Sequence, residues 1–251
     1  MTTYELAEFL NRTLRIENFR DVSNNGLQLA NDGTLSKVIC GVDANLKLLE
    51  IAKEKGAECI VCHHGISWGD SLRYITGLNY RILSLALKNN IAIYACHLPL
   101  DAHDEFGNNA QICKTLGLIE KDAAFDYHGE LIGFTAELPQ PVSFNEFCDK
   151  IKTNITDTFQ TLHFGTENIQ KVGIVSGGAA DMTDQAHDLG VDLFLTGETT
   201  LQAYNLAEQL HQNVVFAGHY ATEIFGVRAL SELINSELGI PAECMNFHIP
   251  F

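Results

Sequence analysis

Four short stretches carry side chains that could do chemistry. They are His63-His64, His97 with Asp101 four residues on, Gly197-Glu198, and His219 with Glu223 four residues on. Neutral imidazoles and carboxylates are ligands for borderline divalent metals such as Zn, Mn, Fe, Co or Ni. Two carboxylates can bridge a pair of ions about 3.5–4 Å apart while histidines fill the remaining positions. His63, His64, Asp101, His219 and Glu223 together offer three nitrogens and at least two carboxylate groups, which suits two ions per chain with positions left open for water or substrate. The same residues also fit plainer roles. A spacing of four describes an ordinary pair on a helix surface, and adjacent histidines point to opposite faces if a strand continues through them. Gly65 permits the turn that would bring both to one site.

An internal repeat sets these residues apart. Lys37-Val38-Ile39, a turn at Gly41-Val42-Asp43, a helical stretch to Lys55 and then Gly56 to Cys62 form one copy. Lys171-Val172, a turn at Ser176-Gly177-Gly178-Ala179, a helical stretch to Leu189 and then Gly190 to Thr196 form the other, at an offset of 134. Further on, Ile91 to His97 matches Asn213 to His219, and Asp101 matches Glu223, at an offset of 122. The difference of 12 places an insertion in the first copy, near Trp68 to Gly77. The repeat therefore gives His97/Asp101 and His219/Glu223 equivalent addresses.

Each copy reads strand, helix, strand, helix, strand, helix. Short apolar strands alternating with helices predict mostly parallel sheets. The expected fold is α/β, with two similar lobes, residues 1–125 and 126–251, the C-terminal stretch packing back on the first. The sheets are expected to be mostly parallel or mixed, with the metal site in the cleft between the lobes, because ligands sit beyond the carboxyl ends of parallel strands. Between the copies, Leu131 to Leu138 reads as a strand. Ser143 with Glu146 reads as a capping box opening a helix to about Ile155, and His163 falls in a further short strand.

Composition narrows the function. The chain has 251 residues, 46% apolar and 19% charged, with ample material for a buried core. A formal net charge of −16 repels phosphate backbones and anionic membranes, so nucleic acid is not an expected partner. No stretch reaches the apolar length of a membrane span, and Glu5 and Glu8 interrupt the N-terminal apolar pattern in a way no signal peptide does. Seven cysteines spread along a chain of this size read as reduced thiols in a cytoplasmic protein.

Other motifs are weaker. Gly65-Ile66-Ser67-Trp68-Gly69 matches the nucleophile-elbow pattern, but two histidines and a glycine stand where the strand should lead directly into the serine. Cys59-x-x-Cys62 lies in a strand, where a spacing of three puts the thiols on opposite faces as small buried hydrophobes. The Ser176 to Ala179 turn could offer amides to an anion, but reads better as backbone punctuation.

Across nearly its whole length the chain resembles the Nif three-like family, also called GTP cyclohydrolase I type 2 homologues. The resemblance rests on Asn25-Gly26-Leu27-Gln28, Gly41-Val42-Asp43-Ala44, His63-His64-Gly65, His97-Leu98-Pro99-Leu100-Asp101-Ala102-His103 and Gly107-Asn108-Asn109. It continues in Leu195-Thr196-Gly197-Glu198 and Gly218-His219-Tyr220-Ala221-Thr222-Glu223. It implies a dinuclear divalent-metal centre on His63, His64, Asp101, His219 and Glu223, with His97 beside the ions or carrying protons. It also implies a ring-shaped homohexamer. The expected activity is metal-dependent hydrolysis of a small nucleotide-like substrate, with His97 or Glu198 moving protons. The alternative is a non-enzymatic metal-binding scaffold or metal-handling protein.

Overall fold

The computed structural model describes residues 1–249. In chain order the helices are α1 (Thr3–Leu14), α2 (Leu46–Glu54), α3 (Gly77–Lys88), α4 (Leu98–Ala102), α5 (Asn108–Leu116), α6 (Phe144–Asn154), α7 (Thr183–Asp188), α8 (Leu201–Leu210) and α9 (His219–Leu238). The strands are β1 (Gly26–Leu29), β2 (Val38–Asp43), β3 (Cys59–His64), β4 (Ala92–Ala95), β5 (Ile119–Tyr127), β6 (Glu130–Ser143), β7 (Gln160–Leu162), β8 (Asn168–Ile174), β9 (Leu193–Thr196), β10 (Asn213–Phe216) and β11 (Ala242–Cys244). The chain forms two compact units. One comprises Met1–Leu100 and Gly226–Phe247, the other Asp101–Phe225 with residues 248–249.

The first unit holds a five-stranded sheet in the order β1-β4-β3-β2-β11. β2, β3, β4 and β11 run parallel, and β1 lies antiparallel on the β4 edge. Parallel strands covered on both faces read as unbroken apolar runs, and Val38 to Val42, Cys59 to Cys62 and Ala92 to Ala95 are buried throughout. On one face Ile39, Ile60, Cys62, Ile93 and Ala95 pack with Leu48, Leu49 and Ala52 of α2 and with Ile82 and Ala86 of α3. Each large side chain in that layer contributes roughly 1.5–3 kcal/mol of burial. Local signals agree with the packing. Thr2 and Glu5 form a capping box on α1, and Leu6, Leu10 and Leu14 line its buried stripe. Asn45 caps α2 by accepting from the Leu48 amide.

The second unit holds a six-stranded sheet in the order β5-β6-β8-β9-β10-β7. β8, β9 and β10 are parallel, and β7 lies antiparallel on the β10 edge. This repeats the first unit: three parallel strands in sequence order, then an antiparallel strand beside the last. The α/β fold with two related lobes expected from the repeat is therefore present. The expected strand from Leu131 lies within β6, and the Ser143–Glu146 capping box opens α6. His163 falls one residue beyond β7. The insertion appears as the β3–α3 connection, residues 65–76, against residues 197–200 between β9 and α8. Among the described residues all seven cysteines are free thiols, and no helix is long and apolar enough to cross a membrane.

Candidate metal centre

In the first unit the site is built at the carboxyl ends of β3 and β4. His63 and His64 end β3, and the chain turns at Gly65 as the double histidine requires. A Cβ on Gly65 would collide with Gln28 Oε1 and lie 2.5 Å from Ala95 Cβ, so only glycine fits there. The rings of His63 and His64 lie 4.6 Å apart between centroids, and His97, two residues past β4, places its ring 5.1 Å from His63 and 5.7 Å from His64. Each of the three offers a ring nitrogen within 4.8 Å of the others.

The outer nitrogen of each ring has an oxygen partner. His63 Nδ1 lies 3.0 Å from the carbonyl oxygen of Cys96, His64 Nδ1 2.9 Å from Asp43 Oδ1, and His97 Nδ1 3.0 Å from Asp21 Oδ1. These oxygens only accept, so Nδ1 carries the proton and Nε2 carries the lone pair in each neutral ring. That is the arrangement that orients histidine for a metal and raises its basicity. Burial pushes the Asp21 carboxyl up, but its hydrogen bond and charge interaction with His97, with help from Asn25 and the Ser23 amide, outweigh this and hold it at about 2. Asp21 also accepts from the Leu98 amide, while Asn25 Oδ1 accepts from the His97 amide, so both brace the turn that presents His97. Trp68, from the insertion, covers the rings of His64 and His97 at 5.8 and 5.0 Å and donates its indole N–H to the Gly65 carbonyl.

In the second unit the acids gather around the turn at Ser176-Gly177. Asp101 lies in α4, and its Oδ1 accepts from Asn108 Nδ2 at 2.8 Å and from Ser176 Oγ at 2.9 Å. His219 opens α9, with Glu223 one turn further on. His219 Nε2 is 2.9 Å from Glu223 Oε1, and its Nδ1 is 2.6 Å from Glu198 Oε1. Burial pushes this imidazole down, but the Glu223 and Glu198 carboxylates on either side raise it to about 9. Gly177 has φ +69°. A Cβ there would run into Glu223 Oε1 and sit 3.2 Å from His219 Nε2. The Gly177 carbonyl receives the amides of Gly197 and Glu198, which sets Glu198 beside His219.

Donor chemistry in both units fits divalent ions of the borderline class: imidazole Nε2 atoms with their Nδ1 atoms anchored, and carboxylates held by hydrogen bonds. Four imidazoles and three carboxylates from the sequence reading thus lie at strand ends or in the helices that follow them, within the unit each belongs to. Asp21, Asp43 and Ser176, which anchor them, carried no chemical signal of their own. The amides of Ser176, Gly177 and Ala179 are taken by Asn109, Thr222 and Thr196, so the turn serves as punctuation rather than an anion cradle. Ser67 lies in an irregular loop where Asn24 donates to its hydroxyl, ten residues ahead of α3, and makes no elbow. Cys59 and Cys62 are buried, and burial pushes the Cys59 thiol up to about 12.

The profile described as Duf34/NIF3 (NGG1p interacting factor 3) matches residues 1–249. The chain belongs to the NIF3 family. A relative from Archaeoglobus fulgidus named "GTP cyclohydrolase 1 type 2 homolog" is 40% identical over 242 residues, covering 96% of each chain. One of the same name from Deinococcus radiodurans is 39% identical, covering 97% of this chain and 92% of the relative. Among solved structures, the protein ybgI, of unknown function, superposes with a TM-score of 0.94 at 33% identity over the whole of both chains. A Thermus thermophilus protein does so with a TM-score of 0.89 at 31% identity, again over the whole of both chains. The NIF3 fold therefore extends over residues 1–249, both sheets included.

Proposed function

We propose that this NIF3 protein holds two divalent ions and acts as a metal-dependent hydrolase on a small, nucleotide-like substrate. The observation that carries this reading is how the imidazoles are anchored: His63 and His64 each have Nδ1 on an oxygen partner, which puts the lone pair of the neutral ring on Nε2, and His219 lies between the Glu198 and Glu223 carboxylates. We assign His63, His64, Asp101, His219 and Glu223 as the ligands. Bound divalent ions supply Lewis acidity and bring the pKa of coordinated water toward neutrality.

The chain's own residues do the remaining work. Asp21 holds the Nδ1 proton of His97 and leaves Nε2 to take or return a proton. Glu198 holds the Nδ1 proton of His219, sets that ring's orientation and can exchange the proton with substrate. Trp68 packs against the imidazoles of His64 and His97 and helps to fix their orientation. The relatives' name points to opening of a purine imidazole ring, in which one water adds at the ring carbon and a C–N bond breaks while these groups move the protons.

Exposed Tyr74, Ile75, Leu78, Tyr80 and Leu87, on the insertion and α3, support a homo-oligomer, and we assign the ring-shaped hexamer that the family resemblance suggests. The test is a broad hydrolase screen, GTP included, on protein whose metal content has been measured. Turnover that disappears together with metal in Asp101→Ala supports the reading. Turnover unchanged after metal removal contradicts it, and tight metal binding with no turnover on any substrate points to the scaffold instead.

A further inference from the structure

The internal repeat exposes an asymmetry. In the first unit the space beyond β3 and β4, beside β1, is filled by the insertion. Gln28 Oε1 accepts from the amides of Ile66 and Ser67, Asn24 Nδ2 donates to Ser67 Oγ, and Trp68 lies over the histidines. In the second unit the corresponding connection, residues 197–200, is too short to fill that space. A groove of about 410 Å³ opens there, beyond β9 and β10 and beside β7. Its size falls within the roughly 300–1,000 Å³ typical of small-molecule sites, and its position is where parallel sheets bind ligands.

The walls are Phe159 and Gln160 at the start of β7, Phe216 at the end of β10, and Glu198 and Thr199 after β9. Phe159 is half-buried and offers an aromatic surface, Gln160 an amide, and Glu198 a carboxylate. Among the described residues no Lys, Arg or His lines the groove, so no side chain there would neutralise a phosphate. A ring with N–H groups suits it: the face stacks on an aromatic wall and the edge donates to carboxylate and amide oxygens.

We infer that this groove binds the uncharged heteroaromatic ring of the substrate, leaving any anionic part of that molecule outside it. The inference rests on the hydrolase reading for its reaction, while the binding itself can be measured without turnover. Glu198 then borders both the ring pocket and His219, so a ring seated here lies next to the proton-holding pair.

Calorimetric titration of the intact protein with adenosine, guanosine and cytidine, and with ribose 5-phosphate as a ringless anion, tests this. At least one nucleoside should bind, and ribose 5-phosphate should not. Phe159→Ala should weaken that binding roughly 5- to 150-fold, the loss of one stacking partner. Thr199→Trp, which fills the groove as Trp68 fills its counterpart, should abolish it. Thermal melting of each variant confirms that it is folded, and metal is measured on the same samples. No nucleoside binding by metal-loaded protein, or binding that both variants leave intact, overturns the ring pocket and leaves the metal reading standing. Nucleoside binding by a protein that takes up no metal keeps the pocket and removes the hydrolase.

Discussion

Glu198 Oε1 lies 2.6 Å from Nδ1 of His219, and the opposite nitrogen of that ring lies 2.9 Å from Glu223 Oε1. In protein stripped of metal, the imidazole between two carboxylates is an imidazolium at neutral pH, with its pKa raised from 6.5 to about 9. A histidine whose folded pKa is raised adds stability that is complete below pH 6.5 and is lost as pH rises through 9. NMR titration of the His219 ring in chelator-treated protein should give a midpoint near 9, with thermal stability falling between about pH 7 and 9.5. Glu198→Gln should shift that midpoint down. A wild-type midpoint at or below 6.5 would show that the two acids do not act on the ring.

Asp21 gives the opposite sign. Its folded pKa is about 2, below the ordinary 3.8, so its contribution is complete above that ordinary value and is lost as pH falls through 2. Asp21→Asn should cost roughly 1–3 kcal/mol at pH 7, because the His97 ring and the Leu98 amide lose a charged acceptor. Urea unfolding at pH 7, 4 and 2.5 should show the gap between variant and wild type closing at the acid end. A gap that persists unchanged at pH 2.5 would assign the effect to packing.

Gly177→Ala tests how tightly the acids are held. The new methyl meets Glu223 Oε1 and approaches His219 Nε2, and φ +69° strains any other residue. Overpacking of this kind costs about 1–3 kcal/mol. Elemental analysis should find reduced metal occupancy alongside the lower melting temperature. Full occupancy in the variant would mean that Glu223 is not a ligand.

The single tryptophan is a reporter. Trp68 sits 5.0 Å from the His97 ring and 5.8 Å from that of His64. Adding paramagnetic Co or Ni to metal-free protein should quench its fluorescence, saturating at a fixed number of equivalents. The double variant His63→Ala with His64→Ala should lose the saturable phase. Quenching that the variant retains would place the ions elsewhere.

The parallel strands, the repeat and the strand-end histidines were legible because each has a local signature: apolar runs, turn glycines, and residue types that bind metal. The insertion was legible too, as a change of offset between copies. What escaped depends on long-range pairing. β1, Gly26–Leu29, is partly buried and is held by pairing with β4; the C-terminal stretch was expected to pack back on the first lobe, but β11 is only three residues long and carries no strand signature of its own before it pairs with β2. Asp21 escaped for the same reason. It meets His97 across 76 residues of sequence, and nothing in its neighbours announces that contact. The Ser176 hydroxyl on Asp101 is a second such case, from a turn that read as mere punctuation.

The central proposal is that His63, His64, Asp101, His219 and Glu223 are metal ligands. The most direct test is an anomalous difference map from crystals of the protein grown with Mn or Zn. The account predicts two peaks per chain, about 3.5–4 Å apart, each within bonding distance of these side chains. A map with no peak at these residues, from crystals whose protein binds the metal in solution, would contradict it.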